Sequence, residues 1–196
     1  MQEISPEKDS VCPSSQQEWR SWLEDNHATK KSVWLIYYKK KAGMPTISWS
    51  QAVDEALCFG WIDSIGKPVD ENRYMQFFCQ RKPKSAWSKI NKEKVARLSA
   101  AGLISAAGLK AIETAIENKS WDALNEVEYL EMPKDLEKAF GRQLRAKRYF
   151  NGLSKSARKA ILRWVLFAKK ADTRTARTIE VVKFCKDGAI PKQLRP

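Results

Sequence analysis

The sequence predicts an α+β protein, a small antiparallel or mixed sheet with helices, followed by a C-terminal basic helical module. Three observations carry this. Between Ser32 and Arg81 the chain joins β-branched and aromatic runs to a single helical period, while beyond Pro83 the strand signal stops and only helical periods follow. Residues 134–196 hold 18 basic and five acidic side chains, whereas residues 1–133 hold 18 of each, so the whole net charge of +13 belongs to the last third. With 43% hydrophobic and 10% aromatic residues there is enough apolar surface to offset chain entropy, which excludes a disordered chain. The expected organisation is a flexible arm over 1–15, an α+β domain over 16–130, a helical module packed on it over 131–190 and a tail over 191–196.

The arm is rich in Ser, Pro and charge. Ser14 or Ser15 then caps a helix through Asn26, in which Trp19, Trp22 and Leu23 recur at helical spacing. SVWLIYYKKK reads as a strand buried on both faces that ends in water at Lys39–Lys41, before a turn over Gly43–Pro45. Ser48 opens a helix carrying Ala52, Val53, Ala56 and Leu57, which Gly60 stops. Asp54 and Glu55 are neighbours there and point in different directions, so they read as surface charges. WIDSI and YMQFFCQR flank the polar KPVDEN, a hairpin with a loop longer than two residues.

Ser88 caps a helix with Val95 and Leu98, closed by Gly102, and a second helix from about Ser105 to Asn118 turns Leu109, Ile112 and Ile116 inward. The acidic stretch from Glu113 to Glu131 can fold back on the basic third. Pro133 opens a helix at its first turn, Ser154 caps SARKAILRWVLFAKK, and Asp172 or Thr173 caps RTARTIEVVKFCKDG up to Gly188.

Several chemistries are disfavoured. There is no GxGxxG, GxxxxGK[ST] or GxSxG motif, and the lone His27 reads as a helix-end residue complementing the dipole rather than a catalytic base. No metal site and no cofactor is expected. Cys12, Cys58, Cys79 and Cys185 are scattered, as free thiols of a reducing compartment would be. No apolar run reaches the length of a membrane span, and the polar, acidic start is unlike a signal peptide, so cytoplasmic residence is expected.

Three clusters remain as candidate sites. Asp63 lies in the apolar FGWIDS run beside Trp61, where a carboxylate needs a cation or several donors. It is read first as a structural ion pair with Arg81 or with an arginine of the C-terminal helices, and alternatively as a polar anchor in a ligand cleft or an acid/base group. RKPKSAWSKIN brings Arg81, Lys82 and Trp87 to a helix start at Ser88 and Asn91, where charge and helix dipole both favour an anion. Arg174 and Arg177 lie one turn apart near a helix N-terminus, where cations oppose the dipole unless Asp63 or an external anion compensates them.

The expectation is a binding protein rather than an enzyme, with Trp61, Asp63, Arg81, Lys82, Trp87, Ser88, Asn91, Arg174 and Arg177 lining one cleft for a small anionic ligand or anionic macromolecule. Two alternatives stand beside it. One is an enzyme of unknown reaction that uses Asp63. The other is a nucleic-acid binder through Lys155, Lys159 and Arg163, on a helix whose apolar side would be Ile161, Trp164 and Ala168.

These residues also carry a resemblance. VWLIYYKK, EALCFGWIDS, RKPKSAWSKIN, the L-x-x-x-G-L-I pattern ending at Ile104 and AKKADTRTARTI together resemble the bacterial YdeI or OmpD-associated family from about Trp19 to Gly188. The resemblance implies an α+β part followed by a helical module, and a link to envelope stress and bacteriocin or antimicrobial-peptide protection. It implies no reaction.

Overall fold

The computed structural model describes residues 9–194. Its contacts divide into two compact units, with the break between Asp122 and Ala123. The first unit holds the sheet. Strands β1 (Ser10–Val11), β2 (Ser32–Tyr38), β3 (Trp61–Pro68) and β4 (Arg73–Gln80) lie in the order β1-β2-β4-β3. β1 runs parallel to β2 and the other neighbours are antiparallel, so the sheet is mixed. Ser10 and Val11, expected in a loose arm, thus extend the sheet, while residues 1–8 of that arm lie outside the described residues.

Helices α1 (Gln16–Asn26), α2 (Trp49–Cys58), α3 (Lys89–Ala100) and α4 (Ala106–Glu117) complete this unit. Each starts after a serine, Ser15, Ser48, Ser88 or Ser105, whose hydroxyl accepts from an N–H three residues on. That satisfies one otherwise orphaned donor per helix. Ser48 and Gln51 form a reciprocal capping box.

β2 is an interior strand, and Val33, Trp34, Leu35 and Tyr37 are all buried. Val33, Leu35 and Tyr37 share one buried cluster with Trp19 and Leu23 of α1, Leu57 of α2, Phe78 of β4, and Val95 and Leu98 of α3. β3 is an edge strand, and only Trp61 is buried along it. A register shift between Asp63 and Gly66 breaks the alternation that would set Trp61 and Ile65 on one face. Gly66 lies at the end of this shift, with the end of the Gln76 side chain close to its Cα.

Two expectations about helix faces are corrected. Asp54 and Glu55 are buried, at 8% and 3% exposure. Asp54 accepts from Lys94 and Arg97 of α3, each at 2.6 Å, and Glu55 from Arg20 of α1 at 2.8 Å and from Gln16. Pointing in different directions does not expose them, because a helix flanks α2 on each side. In α4 the inward residues are Gly108 and Ala115, with Ile112 half-buried, while Leu109 and Ile116 are exposed. A Cβ at Gly108 would meet Cys58 O at 2.3 Å, so α4 docks through its small residues and the large ones turn away.

The second unit is helical: α5 (Asn125–Glu128), α6 (Lys134–Phe140), α7 (Leu144–Gly152), α8 (Lys155–Leu166) and α9 (Ala171–Lys186). Leu136, Phe140, Ala146, Phe150, Ile161 and Val181 are fully or nearly fully buried, and the rings of Phe140 and Phe150 meet at 5.6 Å. Pro133 is the N-cap residue of α6 rather than a member of its first turn. α9 starts after Lys170 with no side-chain cap, so Asp172 lies inside its first turn, where a negative charge favours the dipole. α8 turns Ile161, Leu162 and Val165 inward, not Ile161, Trp164 and Ala168. Of the expected tail, Lys192–Leu194 form a 3-10 turn, and residues 195–196 lie outside the described residues. Among the described residues no helix is long and apolar enough to cross a membrane.

Candidate functional site

The candidate site grows from the end of α2. Gly60 takes a left-handed conformation, φ 72°, that turns the chain out of the helix into β3. A Cβ at Gly60 would stand 3.0 Å from that of Ala111, so α4 lies directly across it. Ser105 fixes this approach: its N–H and its hydroxyl both donate to Cys58 O, at 2.9 and 2.7 Å. The main chain of Arg81 donates to Gly60 O at 2.9 Å, which brings the end of β4 to the same place.

The end of α1 supplies another wall. His27 O accepts from Trp61 Nε1 at 3.3 Å and from Gln80 Nε2 at 2.9 Å, and the His27 ring lies 5.1 Å from that of Phe59. The segment after β4 is held by Pro83 O, which accepts from Asn118 Nδ2 at 2.8 Å and Ser120 Oγ at 3.2 Å. These elements enclose a pocket of about 530 Å³ within the first unit. Trp61, Phe59 and Trp87 give it apolar walls, and its ionisable lining groups are His27, Arg81, Lys82 and Lys110. Among the described residues no carboxylate lines it.

Arg81 is the unusual residue. Its guanidinium carbon lies 3.6 Å from the centroid of the Trp87 ring. Nη1 donates to Ala86 O at a long 3.4 Å, and Nε is buried with no hydrogen-bond partner. Burial pushes the group down to about 10, partly opposed by the more distant charge of Asp63. A buried charge normally has a partner, because an isolated one costs several kcal/mol. Here the aromatic face returns part of that cost.

Four of the residues singled out in the sequence, Trp61, Arg81, Lys82 and Trp87, line this pocket together. The others have different settings. Asp63 forms no salt bridge among the described residues; its Oδ2 accepts from Trp49 Nε1 at 3.0 Å and Gln76 Nε2 at 3.3 Å. The expected ion pair is thereby replaced by two neutral donors on the edge of the sheet. Ser88 is occupied as the cap of α3, accepting from Asn91 N, and neither residue lines the pocket.

Arg174 and Arg177 lie in the second unit with partners there. Arg174 binds Asp135 of α6 through Nε and Nη2, and Arg177 donates to Trp164 O while its guanidinium lies 4.9 Å from the Trp164 ring. The carboxylate that compensates Arg174 is therefore Asp135, not Asp63. Of the basic triad on α8, Lys159 pairs with Glu128 and Arg163 lies 5.8 Å from the Phe167 ring. Among the described residues no group of three or more metal-ligating side chains comes together.

His27 and Lys110 are pocket residues that sequence reasoning missed. The available signal was the spacing of Ala107, Lys110, Ala111 and Thr114, one face of a helix and largely of small residues. A face of that kind lets a neighbouring backbone approach and leaves a hollow where the approach ends.

Residues 11–111, more than half of the chain, match a domain of unknown function, DUF8412, and the chain belongs to that family. Residues 129–188 match the family described as bacteriocin-protection, YdeI or OmpD-associated. The second match lies in the helical part and includes AKKADTRTARTI. The four other signature segments, from VWLIYYKK to the pattern ending at Ile104, fall within the first. No curated protein and no solved structure matches the chain.

Proposed function

We propose that this protein is a non-enzymatic binder of small anions and that its ligand occupies the pocket between the ends of α1, α2 and β4 and the small-residue face of α4. The single observation that carries the reading is Arg81: a largely buried guanidinium whose Nε has no partner, in a pocket lined by two lysines and, among the described residues, no carboxylate. A phosphate or carboxylate would supply two acceptors to the guanidinium fork, with Lys82 and Lys110 closing the charge. A pocket of this volume suits a ligand larger than a bare ion, an anionic head on a small apolar or ring-bearing body. Of the residues named from the sequence, Trp61, Arg81, Lys82 and Trp87 belong to this reading. Asp63, Ser88, Asn91, Arg174 and Arg177 do not, since none of them lines the pocket.

Cytoplasmic residence and a part in bacteriocin protection belong to the same proposal. The first is supported by four free cysteines, the second by the description of the family that residues 129–188 match. A protein with a net charge of +13 repels cationic peptides, so protection would act through an anionic ligand rather than by capture of the peptide.

A thermal-shift panel of inorganic phosphate, sugar phosphates, nucleotides and small carboxylates tests the reading. A ligand at a hundredfold excess over Kd stabilises by about 2.7 kcal/mol, several degrees for a chain of this size. The expected result is a shift from one anion class that Arg81→Lys and Lys110→Glu both reduce. A shift indifferent to both changes, or none from any anion, rejects the pocket.

A further inference from the structure

In the second unit, α9 leaves Ile179, Lys183 and Lys186 exposed at helical spacing, with the buried Val182 beside them. Together with Ala139 of α6 and Gln143 these residues line a groove of about 320 Å³. A second hollow of about 730 Å³ shares Gln143 and Lys186 with it and adds Arg142, Leu144, Arg145 and Asp187. Leu144 is 73% and Ile179 60% exposed. Arg142, Arg145, Lys183 and Lys186 are all exposed, and none has an ion pair or a side-chain hydrogen bond among the described residues. Among the described residues Asp187 is the one acid in either lining. Elsewhere in the unit Lys147, Lys159 and Arg174 each meet a carboxylate.

We propose that this groove is a docking site for an acidic amphipathic peptide segment of a partner protein. Such a segment would seat an apolar anchor between Ala139, Ile179 and Val182 and set carboxylates against the four cations. Charge complementarity defines the partner's sign, and the recess defines its form. A helix with apolar residues at i, i+3, i+4 and i+7 has side chains to fill a groove between helices, whereas a duplex presents none and a lipid surface does not enter a recess. The proposal is independent of the anion pocket, which lies in the other unit.

The test is fluorescence polarisation on the full chain with a labelled peptide of about 18 residues, Leu at that spacing and Glu elsewhere. Its comparison probes are a scrambled peptide of the same composition, a short DNA duplex and vesicles containing phosphatidylserine. The amphipathic peptide is expected to bind, the scrambled one at least about tenfold more weakly. Ile179→Ser should cost at least about fivefold and the double change Lys183→Glu with Lys186→Glu about tenfold or more, while Lys155→Glu on α8 costs less than about twofold. All the changed side chains are exposed, so an unaltered melting temperature separates lost binding from lost folding. Equal binding of both peptides, an equal loss in Lys155→Glu, binding only to duplex or vesicles, or no binding at all would each overturn the proposal.

Discussion

Arg81→Met should make the protein more stable and less able to bind. Burial pushes the Arg81 guanidinium well below its ordinary value, down to about 10. At 1.36 kcal/mol for each unit of pKa this is a cost of about 3 kcal/mol in the folded state. Contact with the Trp87 face returns about 1–2 kcal/mol. An unbranched apolar side chain in the same volume avoids the cost and keeps a sulfur against the ring. The net expectation is a gain of about 1–2 kcal/mol, roughly 3–6 °C in a melt. A cation whose pKa is depressed on folding costs stability at every pH below its folded value, and the cost eases only as pH rises through about 10. The advantage of the variant should therefore stay level between pH 6 and 9. Melts of both proteins at several pH values, with and without the anion that shifts the wild type, give the readout. The order of stability should reverse at saturating ligand, because only wild type gains from it. An Arg81→Met protein less stable than wild type by more than about 1 kcal/mol would refute the reasoning, as would one that still responds to the anion.

Three further outcomes follow from the packing. Asp54→Ala leaves Lys94 mostly buried without its carboxylate and should cost about 3–5 kcal/mol in urea unfolding. Gly108→Ala should destabilise by about 2 kcal/mol or more despite the better helix propensity of Ala, since Cys58 O stands 2.3 Å from the new atom; Leu109→Ser and Ile116→Ser should stay within about 0.5 kcal/mol. Arg174 holds the Asp135 carboxyl below its usual range, so the stability of that pair is present above pH 4 and lost as pH falls through the lowered value. Arg174→Gln should flatten the acid limb of a pH–stability curve while costing less than about 1 kcal/mol at pH 7, the pair being largely exposed.

The parts of this fold that depend on near neighbours in the chain could be read from the sequence. Serine caps at Ser15, Ser48, Ser88, Ser105 and Ser154 act within three residues, and the hairpin follows from two alternating runs around KPVDEN. What resisted reading depends on distant approach. The burial of Asp54 and Glu55 needs α1 and α3 to flank α2, and nothing near residue 54 in the sequence announces Lys94 or Arg97. α4 misled because an apolar period gives the same pattern whether Leu109 or Gly108 faces inward, and only the close passage of Cys58 selects the glycine. The candidate site divides the same way. Arg81, Lys82 and Trp87 belong to one local segment and were legible, whereas His27 and Lys110 come from helices brought in by tertiary packing.

Charge counts directed attention to the last third of the chain, but pairing locates function better than counting does. Cations that meet a carboxylate, such as Lys94 with Asp54, Lys159 with Glu128 and Arg174 with Asp135, are explained by the fold they hold together. A cation without a partner beside apolar surface has no such explanation, since folding then bears its desolvation with nothing in return. Arg81 over Trp87 in the first unit has that character, and Arg158, with its Nε buried and unpartnered, shares it in the second, whereas Arg142, Arg145, Lys183 and Lys186 around Ile179 are exposed cations without a carboxylate partner. Arg81 and this rim differ in how deeply the charge is held. Arg81 is largely buried in a pocket bounded by main chain, which suits a small ligand whose every acceptor can be met. The rim cations are in water around a recess, which suits a longer partner whose affinity comes from an apolar anchor and whose charges set its approach.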